Sequence, residues 1–220
     1  MSSPFNIAIF DLDHTLARRD TYLRYLWGYL WRRPWRAWRC AFLPCAIALF
    51  AMGQMSNASL KEYLLSAILG GASRQDIDEW TQSFLRKMIP GGLSREGLRV
   101  LEVHRRSGDH LVLLSASPDC YVLELGKRLM FDEVVCTNVE WRGNRLSGRL
   151  ASANIRGEEK VQALLSIKSR LGNLRVTAYG DRPSDLPLLR LADRGVLVNP
   201  SSGLMKRAIR EGIFCDVWFK

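Results

Sequence analysis

Two aspartates lie two positions apart in Phe10-Asp11-Leu12-Asp13-His14-Thr15, directly after an apolar run. In an extended strand alternate side chains point the same way, so Asp11 and Asp13 face one ligand while Leu12 turns into the core. Attack by a carboxylate on phosphorus needs a nucleophile in line with the leaving oxygen. It also needs a neighbour that protonates that oxygen and later activates water. Asp11 and Asp13 supply these two roles. Short acidic stretches also cap helices or lie on solvated turns, so the pair gains weight only from what joins it.

A second acidic pair, Asp181 and Asp185, lies in Gly180-Asp181-Arg182-Pro183-Ser184-Asp185. Hard oxygen ligands beside a phosphate suit Mg²⁺, which neutralises charge on the transferring group and repulsion among the carboxylates. Asp11 and Asp181 are the expected side-chain ligands. Asp185 holds a metal-bound water or orients Asp181 from the start of a helix, with Ser184 as its expected N-cap and Pro187 in its first turn. Ser115 in Ser115-Ala116-Ser117-Pro118 offers a hydroxyl to a phosphate oxygen, and the Ala116 N–H adds a second donor. Lys160, early in Glu158-Glu159-Lys160-Val161, adds a fixed positive charge beside nucleophile and phosphate.

Three short apolar runs deliver these groups: residues 5–10, 110–114 and 174–179, each ending at polar, compact residues. They read as buried parallel strands. Helical stretches at 93–106, 158–171 and 185–191 alternate with them, which predicts an α/β fold with a doubly wound parallel sheet. Ligands in such sheets bind outside the carboxyl ends of the strands, so the three strand ends converge on one site. Gly143-Asn144 is a turn signal for a hairpin over 139–150, read as a flap on the core. Residues 18–89 break the alternation with helix after helix, at 21–31, 35–52, 59–69 and 75–88. The expected organisation is a catalytic core of residues 1–17 and 90–220 carrying an inserted α-helical cap, 18–89.

The chain has 220 residues, enough for one core with a smaller insertion, and its 47% hydrophobic and 25% charged residues are ordinary for a folded soluble protein. Five cysteines, odd in number and without CxxC or Cys/His metal spacing, point to neither a disulfide framework nor a zinc site. The segment Met1-Ser2-Ser3-Pro4 carries no basic region followed by an apolar stretch, so the active domain is expected in the cytoplasm. The net charge of +10 favours anionic partners.

With the four acidic and phosphate-binding segments in order, the chain resembles the haloacid dehalogenase superfamily, in its phosphoserine-phosphatase-like branch (subfamily IB). The matching segments are Asp11-Leu12-Asp13-His14-Thr15, Leu113-Leu114-Ser115-Ala116-Ser117, Gly157-Glu158-Glu159-Lys160 and Gly180-Asp181-Arg182-Pro183-Ser184-Asp185. The resemblance implies a Rossmannoid core with a helical cap, and a Mg²⁺-dependent phosphatase with a phosphoaspartyl intermediate. It implies Asp11 as nucleophile and metal ligand, Asp13 as general acid/base and metal ligand through its carbonyl, and Ser115 and Lys160 as phosphate contacts. Asp181 follows as a metal ligand supported by Asp185. Asp20 stands where phosphoserine phosphatases have a substrate-recognising glutamate, which makes it a candidate for substrate selection and argues against phosphoserine itself. His14 is read as a loop residue.

The insertion carries its own signal. Between Arg18 and Cys40 stand seven arginines against the single acid Asp20, interleaved with Trp27, Trp31, Trp35 and Trp38, and residues 40–52 are wholly apolar. Arginines among aromatic rings suit a membrane interface with anionic headgroups. Thirteen helical residues span only about 20 Å of a ~30 Å hydrocarbon core, so a hairpin turning at Arg32-Arg33-Pro34 and dipping into one leaflet at the cytoplasmic face is expected. This arrangement is similar to the membrane-associated phosphatidylglycerophosphatase type, and makes a lipid phosphate the leading substrate. A soluble small-molecule phosphatase is the alternative. A non-catalytic membrane or nucleic-acid binding module is the reading from another class. Oligomeric state has no signature in the sequence.

Overall fold

The computed structural model describes residues 6–172 and 174–219. The chain begins with β1 (Asn6–Phe10) and passes into four helices, α1 (Thr21–Arg32), α2 (Leu43–Ala51), α3 (Asn57–Ile68) and α4 (Arg74–Gly92). It continues through α5 (Arg95–Arg106), β2 (His110–Pro118), α6 (Asp119–Arg128), β3 (Glu133–Thr137) and the hairpin β4 (Val139–Arg142) and β5 (Arg145–Leu150). The remainder is α7 (Glu158–Leu171), β6 (Arg175–Gly180), α8 (Leu186–Leu191), β7 (Arg194–Val198), α9 (Ser202–Arg210) and β8 (Phe214–Asp216). Phe5, placed in the first strand by the sequence, lies outside the described residues.

Six strands form one sheet in the order β3-β2-β1-β6-β7-β8, every neighbouring pair parallel. The strand order reverses at β1, the place where open α/β sheets bind ligands. Phe10, the last residue of β1, pairs with Leu113 of β2 and Tyr179 of β6, so the three strand ends finish side by side. The period-2 alternation of β1 supplies both faces. Ile7 and Ile9 pack with Leu164, Ile167 and Leu188 of α7 and α8, while Ala8 and Phe10 pack with the inserted helices, α5 and α6. The fold is the α/β parallel sheet the alternation predicts.

Several details differ from the sequence reading. β2 runs on through Ser115 to Pro118, because its backbone stays paired with Cys136 and Thr137 of β3 across a register shift. Strands β3, β7 and β8 are short and were given no separate signal by periodicity. The segment 35–52 is not one helix: a 3-10 turn, Pro34–Cys40, precedes α2, and Pro34 and Pro44 each sit in the first turn of their element, where a missing N–H costs nothing. Ser184 is not a helix cap. The Asp185 carboxylate accepts the N–H of Asp181 (3.2 Å) and of Arg182 (3.0 Å), which folds Pro183–Asp185 into a 3-10 turn ahead of α8.

The β4–β5 hairpin is more than a flap, because it holds the insertion to the core. Leu146 exchanges backbone hydrogen bonds with Gly71 (2.7 Å) and Ala72 (3.0 Å), and the Leu150 N–H donates to Glu62 (2.9 Å). Gly148 lies at φ +89°, and a Cβ there would stand 2.4 Å from the Ser66 backbone, so only glycine lets β5 lie this close to α3.

Three arginines of the insertion, Arg33, Arg36 and Arg39, are engaged within the fold, while Arg18, Arg19, Arg24 and Arg32 are exposed. Arg33 pairs with Asp76. Arg36 donates to the carbonyls of Ile68 (3.0 Å) and Gly70 (2.9 Å), and Arg39 to those of Gly70 (2.8 Å) and Ser66 (2.7 Å). These cations satisfy carbonyls at the C-terminal end of α3, where the helix dipole favours positive charge. Headgroup attraction is therefore not what fixes them. The aromatic residues beside them face outward: Trp31 is 84% exposed, Trp38 76% and Phe42 73%. No described helix is long and apolar enough to cross a membrane.

Candidate active site

The last residues of β1 carry the chain straight into the site. The Asp11 N–H still bonds the Tyr179 carbonyl (3.0 Å), so Asp11 is placed by the sheet itself, next to the ends of β2 and β6. Beyond it the chain turns sharply, with His14 at φ 61°, and reaches α1 through Asp20. A left-handed turn residue, His14 stays outside the pocket lining, as a loop residue would.

Lys160, near the start of α7, is 3% exposed and reaches between two carboxylates, 2.6 Å from Asp11 Oδ1 and 2.7 Å from Asp185 Oδ1. Burial alone would push its ammonium down, yet Asp11 and Asp185 outweigh that and hold it protonated well above the ordinary lysine range. Burial raises Asp185 too, but the Lys160 charge and the hydrogen bonds it receives bring it below the usual carboxylate value. Asp11 goes the other way: burial, with repulsion from Asp185 and Asp13, carries it up to about 7 against the pull of Lys160. Asp181 is pushed up to about 8 by burial and then by Asp11 and Asp185. Gly180 is needed here, because a Cβ would lie 2.7 Å from that of Asp185.

Asp11, Asp181 and Asp185 each bring one oxygen within 4.8 Å of the others. The Asp181 Oδ1 is buried without a hydrogen-bond partner. An orphaned acceptor beside two further carboxylate oxygens, all hard donors, is a set that fits Mg²⁺.

Asp13 shares the pocket and is gripped from two sides. Its Oδ1 accepts the Thr21 N–H (2.5 Å) and hydroxyl (2.6 Å), and its Oδ2 accepts the Ser117 hydroxyl (2.6 Å). Tyr121 of α6 backs this arrangement, its hydroxyl 2.8 Å from that of Thr21. Asp13 thus joins three segments: the β1 loop, the end of β2 and the first residue of α1.

At the end of β2, Ala116 and Ser117 line the cavity. Ser115, the serine singled out from sequence, is buried and accepts the Ser117 N–H (3.1 Å), and the pocket wall is formed by its neighbours. Asp20 does line the cavity; it caps α1 by accepting the Leu23 N–H (2.8 Å), and burial followed by repulsion from Asp13 raises its pKa.

The cavity has a volume of about 210 Å³. Its walls mix Tyr22, Leu23, Leu60 and Leu64 with the cations Lys61, Arg156 and Arg182. Lys61, on α3, donates 2.5 Å bonds to the Ala116 carbonyl and to Asn154 Oδ1, tying the insertion to the end of β2. The sequence reading missed Thr21, Lys61, Ser117, Arg156 and Arg182. Ser117 and Arg182 lie inside motifs already quoted, two residues from Ser115 and one from Asp181. Lys61 and Arg156 had no local signal, because only the tertiary fold brings them to the cavity.

Known proteins share this fold. The sequence profile of the haloacid dehalogenase-like hydrolases matches residues 8–190. Protein CicA of Caulobacter vibrioides is 28% identical over 193 residues, covering 85% of this chain and 83% of that one. A crystal structure of a protein of unknown function from Bordetella pertussis Tohama I has a TM-score of 0.85 at 25% identity, covering 99% of this chain and 100% of the other. A phosphoserine phosphatase solved as a phospho-aspartyl intermediate analogue shares the fold, with a TM-score of 0.67 at 14% identity over 98% of this chain and 93% of that one.

Proposed function

The chain belongs to the haloacid dehalogenase-like hydrolase family, and from that premise we propose that it hydrolyses a phosphate monoester through an aspartyl-phosphate formed on Asp11. The observation that carries this reading is the position of Asp11 at the end of β1, bonded to Lys160 and sharing one cavity with Asp13.

In the first step a carboxylate oxygen of Asp11 attacks phosphorus, and the bond from phosphorus to the ester oxygen breaks. Asp13 gives its proton to the departing oxygen. In the second step Asp13 takes a proton from water as that water attacks the aspartyl-phosphate, releasing phosphate and restoring Asp11. Lys160 keeps positive charge beside Asp11 throughout. Ser115 and the Ala116 N–H would be the donors to the phosphate, with the Ser117 hydroxyl beside them holding Asp13. Asp11, Asp181 and the Asp13 carbonyl would hold Mg²⁺, with Asp185 behind them, and the ion would supply positive charge against the phosphate oxygens and the clustered carboxylates.

For the substrate we favour an amphiphilic phosphate, such as phosphatidylglycerophosphate, met at the cytoplasmic face of a membrane by a cap made of α1–α4. The support is physical: apolar Leu23, Leu60 and Leu64 line the cavity, and Trp31, Trp35, Trp38 and Phe42 stand exposed on the insertion. Exposed apolar groups on this scale mark an interaction surface. A soluble small-molecule ester remains the second reading, favoured by the modest cavity of about 210 Å³.

Phosphate release in the presence of Mg²⁺, measured on lipid phosphates in mixed micelles and on water-soluble esters including phosphoserine, separates the two. Strong turnover of soluble esters with none of lipid phosphates would sink the lipid reading. Asp11→Asn should abolish release from every ester, and an active variant would overturn the mechanism.

A further inference from the structure

The exposed side of α1 begins at the cavity and leads away from it. Leu23 lines the cavity and is 41% exposed, Trp27 is 41% exposed, and Trp31 is 84% exposed. Spaced four residues apart, the three side chains follow one side of the helix over about 12 Å. Tyr22, Tyr25, Leu26 and Tyr29 cover the opposite side and are buried in the core. Nothing in the packing of the fold requires three large apolar groups on the outward side, where a polar residue would serve.

We infer that Leu23, Trp27 and Trp31 form a binding stripe for the hydrocarbon chain of an amphiphilic phosphate monoester whose phosphate lies against Asp11. The inference rests on the phosphatase reading above and adds where the rest of the substrate goes. Two observations name the occupant. The stripe starts at the catalytic cavity, since Leu23 lines it and Trp27 and Trp31 follow about one and two turns further along α1. Along the chain it is set among cations: residues 21–61 contain no Asp or Glu, and the exposed Arg24 and Arg32 each follow a stripe residue directly. An anionic headgroup with an apolar tail matches both features.

The stripe makes affinity depend on chain length. Each methylene laid on a half-exposed apolar surface should tighten binding by about twofold, roughly half the effect of full burial.

Binding of ethyl, butyl, hexyl and octyl phosphate, each below its micelle-forming concentration, is to be measured by calorimetry in Mg²⁺ buffer on Asp11→Asn protein, which should not turn over and keeps an amide oxygen in the place of the carboxylate. Octyl phosphate is expected to bind at least about tenfold more tightly than ethyl phosphate, and Trp27→Ser/Trp31→Ser should bring that ratio below about threefold. The ratio is internal to each protein, so a general loss of folding does not mimic the result. A flat dependence on chain length, or one that survives the double substitution, overturns the inference. Two other occupants give distinct outcomes that also overturn it. A dimer dissociated by the double substitution would assign the stripe to a second copy of the chain, and lost vesicle binding with an unchanged ratio would assign it to a bilayer. If the wild-type protein released phosphate from no ester, the phosphatase reading would fail while the chain-length result still stood on its own.

Discussion

Thr21, the first residue of α1, donates both its backbone N–H (2.5 Å) and its hydroxyl (2.6 Å) to the same oxygen of Asp13. The helix that opens the insertion therefore holds the proposed general acid/base, and any displacement of α1 displaces Asp13 with it. Tyr121 extends the link into α6.

Thr21→Val keeps the backbone donor and removes the hydroxyl. We expect kcat to fall by about tenfold to a hundredfold, the range of one charge-assisted hydrogen bond to a catalytic carboxylate. The loss should be greater for an alkyl phosphate than for p-nitrophenyl phosphate, whose leaving group needs little protonation. Thr21→Ser should restore both rates. Equal losses in kcat/KM on the two esters, which reports only the step in which the leaving group departs, would show that Thr21 does not act through Asp13 as the acid of that step.

Asp11 at about 7 and Asp181 at about 8 tie metal binding to pH. Both pKa values lie above those of unfolded carboxylates, so between about pH 4 and pH 8 the folded, metal-free chain holds more protons than the unfolded one. Its stability should fall as pH rises through that window. Mg²⁺ needs the ionised forms, so the stabilisation it adds should grow over the same range, reaching about 2.7 kcal/mol at a hundredfold excess over Kd. Thermal unfolding in EDTA and in Mg²⁺ at pH 5.5, 6.5, 7.5 and 8.5 reads this directly. An increment that stays constant with pH would count against the metal set.

Membrane attachment, if the exposed aromatic residues make it, should be separable from folding. Reversing the charge of Arg33, Arg36 or Arg39 is a poor probe, since these side chains hold Asp76 and the end of α3. Trp38→Ser/Phe42→Ser removes two side chains that are 76% and 73% exposed, and should leave the melting temperature within a degree or two. Binding to anionic vesicles should weaken by roughly tenfold per side chain. Unchanged sedimentation with vesicles would return the insertion to a soluble role.

The acidic residues were legible because their positions follow from local geometry. Asp11 and Asp13 share a face at a strand end, and Asp181 and Asp185 bracket a turn whose Pro and Ser punctuate it. The parallel sheet was legible for the same reason, from apolar runs alternating with helical periods. Thr21, Ser117 and Lys61 were not, because each acts across a distance in sequence: 8 residues from Thr21 to Asp13, 104 from Ser117 to Asp13 and 55 from Lys61 to Ala116. The inward turn of some arginines was not legible for a related reason. Their charge is visible in the sequence, but that Arg36 and Arg39 turn inward to backbone carbonyls depends on where α3 ends.

Lys61 gives a last test, of how the insertion is fastened over the site. Burial lowers its ammonium to about 8, and its hydrogen bonds to Ala116 and Asn154 hold the charged group in place. Below pH 8 both folded and unfolded chains carry this proton, and the fold bears the cost of a desolvated cation. Between pH 8 and the ordinary lysine value the unfolded chain keeps the proton that the folded chain has released, so stability attributable to Lys61 rises with pH, by about 3 kcal/mol at most. Lys61→Met retains the length of the side chain and removes both charge and donors. At pH 7 the variant should lie within about 2 kcal/mol of wild type, because relief of the buried charge offsets the lost hydrogen bonds. As pH rises from 7.5 to 10 the wild type should gain on the variant in urea unfolding, other titrating groups being common to both. A stability difference that does not change over that interval would show that Lys61 is not held as a buried cation between α3 and the end of β2.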